Sequence, residues 1–376
     1  MAVIGGPTGG PTGGPTGGPT GGPTGGPTGG PTGGPTGGPT GGPTGYDTAQ
    51  TAFGLGTARD AIVGYWPGNT EYSPSKPTNI DKLEYLSGQR RHEVLTQELL
   101  SAFHVTADQT AETASVFVAP LPTTLTDGAT SQVTATEICK LIKPQDTHLE
   151  NQMKWVRSYA DLRADRLTEI TEQSVRILPY FGTIGMLNTS RRRATWELLG
   201  LVQTVCIYLE MRLKHYTWTP RPIDFAPQVQ PIIQTPDHST YPSGHAAEAF
   251  AIAAVLEYFL ADETQVQVTP GAALPMPLRM AHRIAVNRTV AGVHFPVDSA
   301  AGAMLGMAVG NAIISLGAGA ALQKTAFDGN LQDGDGKDAD FTQAWFAGNY
   351  APVGGPTPAP LTLLAKLFDR ANKEWT

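Results

Sequence analysis

The chain is 376 residues long and carries 26 Lys and Arg against 33 Asp and Glu, a net charge of −7. That balance argues against a general nucleic-acid binder, and the longest basic run, Arg191-Arg192-Arg193, reads as a solvated face. Two cysteines, Cys139 and Cys206, imply no disulfide framework, and the length admits one large core or two smaller ones.

The N-terminus opens Met-Ala-Val-Ile, without the basic and apolar regions of a signal peptide. Ten copies of Gly-Gly-Pro-Thr then run from Gly5 to Thr44. The repeat has no apolar side chain beyond proline, so it cannot build a core, and its period of four excludes collagen. Proline and glycine favour extended polyproline-II geometry, in which forty residues reach on the order of 120 Å at about 3.1 Å each. Ordering a residue costs about 1–2 kcal/mol of backbone entropy, and more for glycine. Contacts within the tail cannot return that. The tail is thus expected either as a flexible linker or as a rod ordered by other subunits. In the second case residues 5–44 carry a homo-oligomer or filament, and an extracellular or cell-surface location is favoured.

Tyr46 to about Thr78 is rich in Gly, Pro, Ser and Thr and reads as irregular. A helix is signalled from Ser87, with Val94, Leu95, Leu99 and Leu100 on one face. Val116-Phe117-Val118 reads as a short strand in a threonine-rich stretch. The clear helical series begins at His148, with helices near 148–177, 191–215, 244–261, 272–291, 297–318 and 360–373. Each has apolar residues at the spacing of one buried stripe. Ser299 to Gln323 has no charged residue and is long enough to span a bilayer. Its Gly and Ala content, Asn311 and the overall mean hydropathy of −0.16 favour instead a buried helix of a soluble bundle, and no membrane partner is expected. Asp333-Gly-Asp335-Gly-Lys-Asp338 resembles a calcium loop but lacks the ligand at position five and the glycine at position six, so it reads as a solvated turn. Strands are few, so the fold class is mainly α. Four segments follow: a tail at 1–45, an irregular and helical part at 46–145, a helical core at 146–325, and a C-terminal loop and helix at 326–376.

Three stretches of the core combine into one chemistry. The first runs from Lys214, at a helix end, to Arg221-Pro222; the second is Tyr241-Pro-Ser243-Gly244-His245, opening a helix; the third is Arg288-x5-His294-x3-Asp298, passing from one helix into the next. A tetrahedral oxyanion needs cations to match its charge, and Lys214, Arg221 and Arg288 supply three. Guanidinium groups grip two oxygens at once, and lysine acts as a point charge. Ser243 and Gly244 stand at a helix start, where free N–H groups and the helix dipole favour an anion. His294 can attack or coordinate the central atom, Asp298 can hold its other nitrogen and fix the tautomer, and His245 is left as general acid or base.

These three stretches resemble, in order, spacing and residue type, the tripartite signature of the type 2 phosphatidic acid phosphatase and vanadium-dependent haloperoxidase superfamily: Lys-x6-Arg-Pro, Pro-Ser-Gly-His and Ser-Arg-x5-His-x3-Asp. Asn287 stands where that pattern has Ser. The resemblance implies a helical bundle with the site at its core and a phosphoester hydrolase with His294 as nucleophile and no cofactor. The alternative is a bromoperoxidase-like enzyme in which His294 is the direct ligand of vanadate and halide and peroxide are the substrates. Here the resemblance also implies His245 as the acid and Lys214, Arg221, Ser243, Gly244 and Arg288 as holders of the equatorial oxygens. His238 resembles the extra histidine of the bromoperoxidases, and Met211 stands where chloroperoxidases have Trp. Trp218 and Tyr216 line either the entrance or the core. A third reading is a filament or surface-layer subunit that retains the enzyme fold.

Overall fold

The computed structural model describes residues 49–73, 81–120, 133–261, 266 and 268–376. The repeat of residues 5–44, and its reading as an extended rod, lie outside them. The chain divides into two compact units, Met1–Thr78 and Asn79–Thr376. In the first, Ala49–Ile62 forms helix α1, where composition suggested irregular chain. This stretch holds no proline and four alanines, enough to keep it helical despite two glycines. The prolines of the region begin only at Pro67.

The second unit starts with α2 (Asp81–Glu84) and α3 (Gly88–Ser101), the latter capped by the Ser87 side chain. Strands β1 (Phe103–Asp108), β2 (Thr113–Val118) and β3 (Thr136–Ile142) follow, and Val116-Phe117-Val118 lies in the middle one. Helix α4 (Asp146–Tyr159) passes through a 3-10 turn into α5 (Arg163–Gln173), and α6 (Leu178–Gly185) is short. The long helices are α7 (Arg193–Tyr216), α9 (Gly244–Ala261), α10 (Met276–Ala291) and α11 (Pro296–Ala318), with the single turn α8 (Pro222–Phe225) after α7. The chain closes with β4 (Gln323–Phe327), α12 (Gln343–Asn349), β5 (Val353–Gly354) and α13 (Thr362–Asn372).

The unit is mainly helical, with one small sheet of order β1-β2-β3-β4-β5. Only β3 and β4 run parallel. Periodicity found the long helices, although the stretch read as one helix over 148–177 is broken at Ala160–Leu162 and ends at Gln173. It missed the shorter α2, α6 and α12 and the strands β1, β3, β4 and β5, which are too short for a clear pattern. Their pairing joins residues far apart in sequence, which no local pattern reports.

Helix α9 packs on α7, α10 and above all α11. Both α9 and α11 are mostly apolar and have no continuous polar face, the signature of helices enclosed by others. Each is long and apolar enough to cross a bilayer, where the sequence had suggested one such stretch. All of the most apolar part of α11 is buried inside the protein, as is most of that of α9. The two approach closely because Gly302, Gly306 and Gly310 of α11 face the α9 backbone; a β-carbon on Gly306 would come within 2.3 Å of the Ala247 carbonyl. Asn311, a buried polar residue of α11, donates to Gln323 and Tyr350.

The start of α7 is held by the C-terminus: Glu374 accepts from the Ala194 and Thr195 amides at 2.7 and 2.9 Å. Arg192 stacks over Trp375 at 3.5 Å and donates to the Glu374 carbonyl, so this arginine is not on a solvated face. Cys139 and Cys206 are buried free thiols.

Candidate active site

The site forms where the end of α7 and the starts of α9 and α11 meet the loops that join them, with Arg288 reaching in from the last turn of α10. Two short motifs set the loop ends. In Arg221-Pro222-Ile223-Asp224 and Phe295-Pro296-Val297-Asp298, proline takes the first helical position and the aspartate reaches back to the residue before it. Asp224 accepts from the Arg221 amide and Asp298 from the Phe295 amide, each at 2.8 Å. The 217–221 and 239–242 loops are stitched together by Thr217 Oγ1 donating to the Tyr241 carbonyl, the Thr219 amide donating to Ser239 Oγ and the Thr240 amide donating to the Thr219 carbonyl.

Asp298 is fully buried and one of its oxygens receives several donors. Beside the Phe295 amide, Thr240 Oγ1 donates to Oδ2, and His294 Nδ1 lies 3.1 Å from the same atom. The carboxylate acceptor places the proton on Nδ1 and leaves His294 Nε2 as the free lone pair. Burial holds the His294 imidazole well below its ordinary pKa, reinforced by Arg221, Lys214, His245 and Arg288. His294 is therefore neutral, and those four groups converge on it. Burial raises Asp298 to about 6, against the lowering effect of its hydrogen bonds from Thr240 and Phe295.

The three cations are held by neutral acceptors. Lys214 Nζ donates to the carbonyls of Ser239, Thr240 and Pro242, and burial brings it down to about 8. Arg221 donates to the carbonyls of His238, Val293 and Ser239. Arg288 donates to the Ile170 carbonyl and Ser174 Oγ at the end of α5, and burial lowers it to about 10. None of these partners is a carboxylate, so the positive charge stays available to an anion. Ser243 Oγ and Arg288 Nε are buried and have no hydrogen-bond partner within the protein, two donors free for the same ligand. Gly244 opens α9, and the Ser243 amide is fixed by the Asp298 carbonyl at 2.9 Å.

His245 Nε2 donates to the Gln173 carbonyl at 3.0 Å, and burial, then Arg288, lowers it to about 3. Its Nδ1 is the free nitrogen. Asn287 donates to Gln173 Oε1 and Glu169 and accepts from Arg166, while Glu169 also takes Arg283 with both oxygens. Asn287 thus braces α5, which in turn holds His245 and Arg288. His238 is half-buried against Arg221 at 3.2 Å, with its pKa lowered first by burial. Trp218 is 60 % exposed and Tyr216 is also at the surface, so neither is core.

Every residue expected from the three stretches thus lies in this region or braces it. Sequence reasoning missed Thr240, Ser239, Thr219, Gln173 and Ser174, which carry no signal beyond being polar near the motifs. It also missed Glu210 and Glu248, although Glu210 precedes Lys214 by one turn on an otherwise apolar helix face. Among the described residues no group of three or more His, Cys, Asp or Glu is placed to hold a metal ion. The calcium-like segment is a turn in which Asp333 accepts from the Asp335 and Lys337 amides, and Asp338 pairs with His148.

Comparison with known proteins points to the same region. The model of the PAP2 superfamily matches residues 195–319. The decaprenylphosphoryl-5-phosphoribose phosphatase of Mycobacterium tuberculosis, in strains CDC 1551 / Oshkosh and ATCC 25618 / H37Rv, is 28% identical over 136 residues, which is 36% of this chain and 69% of that protein. The crystal structure of a transmembrane PAP2 type phosphatidylglycerolphosphate phosphatase from Bacillus subtilis is similar at 23% identity and a TM-score of 0.34, over 45% of this chain and 85% of that one.

Proposed function

We propose that this member of the PAP2 superfamily, through residues 195–319, is a phosphoester hydrolase whose nucleophile is His294. The observation that carries this reading is the fixed, neutral His294, with Nδ1 on Asp298 and Lys214, Arg221 and Arg288 grouped around it. Its Nε2 attacks phosphorus in line, forming an N–P bond as the bond to the leaving oxygen breaks. Negative charge on the equatorial oxygens is met by the three cations, Ser243 Oγ and the amides at the start of α9. His245 delivers the proton to the leaving oxygen; the bound anion raises its pKa by opposing Arg288. Water activated by the same imidazole then cleaves the N–P bond and frees His294.

A second reading rests on His238 against Arg221. Vanadate shares the shape and charge of phosphate, and the same donors fit it, with His294 Nε2 as its ligand; it would supply peroxide activation for halide oxidation. One experiment separates the two: phosphate release from p-nitrophenyl phosphate and bromination with bromide and peroxide, each with and without orthovanadate. The hydrolase is expected to release phosphate without vanadate and to be inhibited by it. Bromination that requires vanadate, with no phosphate release in its absence, overturns this reading.

A further inference from the structure

The face shared by α7 and α9 buries two acids that the hydrolysis above does not use. Glu210, 5 % exposed, lies one turn before Lys214, and Glu248, 7 % exposed, one turn after Gly244. Gln203 donates to Glu248 Oε2 at 2.7 Å, whereas Glu210 Oε2 has no partner within the protein. The Glu210 carboxyl is pressed against the first residue of α9: a β-carbon on Gly244 would come within 2.2 Å of Glu210 Oε1. The acid therefore fills the place of a side chain directly beneath the helix start that receives the anion.

Two buried carboxylates in one seam oppose each other's ionisation, and their protons belong to the pair. Burial, and then Glu248, pushes Glu210 well above the usual carboxylate range, and burial pushes Glu248 up to about 7. The hydrogen bond from Gln203 and the charges of Lys214 and Arg288 work in the opposite direction on Glu248, and Lys214 does so on Glu210. Cys206, on the same face of α7, has its thiol raised by burial and by both acids. The groups that face the pair are thus Cys206 and Lys214 on α7, and Arg288 on α10. His245 stands on α9 between Gly244 and Glu248 and feels Arg288 and Lys214 as well.

Building on the oxyanion pocket read above, we propose that Glu210 and Glu248 form a proton reservoir beneath it, which takes up a proton from solvent when a tetrahedral oxyanion fills the site. The cations that favour ionisation of the pair, Lys214 and Arg288, are the ones the oxyanion neutralises. Once their field is cancelled, a Glu carboxylate gains a proton from bulk water and an O–H bond forms on it. The buried charge then changes less between the free and the loaded pocket, which lowers the cost of admitting a dianion. It also gives a second reason why the residue after Ser243 has no side chain.

The test is calorimetry of sulfate binding to the full chain near neutral pH, in two buffers of different ionisation enthalpy. Sulfate does not titrate in this range, so any proton exchanged belongs to the protein. Wild type is expected to take up about half a proton per sulfate bound, since a carboxyl near 7 is about half ionised at that pH. In Glu248→Gln and Glu210→Gln the uptake falls by half or more while sulfate still binds as tightly or more tightly. Equal uptake in wild type and both variants, which would assign the proton to His245, His294 or Asp298, overturns the reservoir and leaves the pocket standing. Zero uptake by wild type does the same whether or not the variants fold, and failure of wild type to bind sulfate or phosphate at all overturns both.

Discussion

In the proposed reaction the attacking imidazole must be neutral, and burial with the charges of Arg221, Lys214 and Arg288 favours the neutral form of His294. Its orientation comes from Asp298, whose Oδ2 also caps α11, so one carboxylate serves both helix and site. His294→Ala is expected to abolish phosphate release while circular dichroism stays native; near-normal turnover in the folded variant would remove His294 from the reaction. Arg221→Ala and Arg288→Ala should each weaken competitive inhibition by phosphate about tenfold or more, since charge-assisted hydrogen bonds contribute about 1.5–3 kcal/mol; unchanged inhibition constants would mean the cations do not share one ligand. Away from the site, His282 donates Nε2–H to the Phe341 carbonyl, and burial lowers it to about 4 from 6.5. Its folded pKa is depressed, so the unfolded chain binds the proton first. The stability it contributes is full above 6.5 and is lost as pH falls towards 4, on the order of 3 kcal/mol. Chemical denaturation across that window should show His282→Gln losing less stability on acidification than wild type, and parallel pH profiles would refute the assignment.

At the scale of elements, the site depends on how closely α9 and α11 approach. The start of α9 is tied to α11 by the Ser243 amide and the Asp298 carbonyl, and Gly302, Gly306 and Gly310 leave room for the α9 backbone. What a side chain would strike at Gly306 is the Ala247 carbonyl, which cannot rotate away. Gly306→Ala should therefore destabilise the protein by about 1–3 kcal/mol through overpacking, even though alanine is the better helix former. Urea unfolding measures this, and a variant as stable as wild type would show that the helices can separate without cost. Because Ser243 and Asp298 ride on these two helices, catalysis should fall in the same variant.

For the whole molecule, the expected roles divide between body and tail. Every side chain named in the site lies in the unit Asn79–Thr376. Deleting residues 5–44 is therefore expected to leave phosphate release unchanged and to remove any self-association seen by sedimentation velocity; a truncated protein that assembles as before would assign assembly to the body. Much of the candidate site was legible in the chain itself, because Lys214, Arg221, Ser243, Gly244, His245, Arg288, His294 and Asp298 sit in three stretches whose order and spacing resemble one signature. A cation at a helix end, a small residue at a helix start and a His four residues before an Asp are short-range facts. The helical character was legible for the same reason, since an apolar stripe repeats within each helix. The sheet was not, because β3 meets β4 only after the chain has passed through eight helices, α4 to α11. Nor were Thr240 on His294 and Asp298, Gln173 on His245, or Glu210 against Gly244. Each of those contacts joins two elements, and its existence depends on packing distance and burial, which arise only when the helices close on one another.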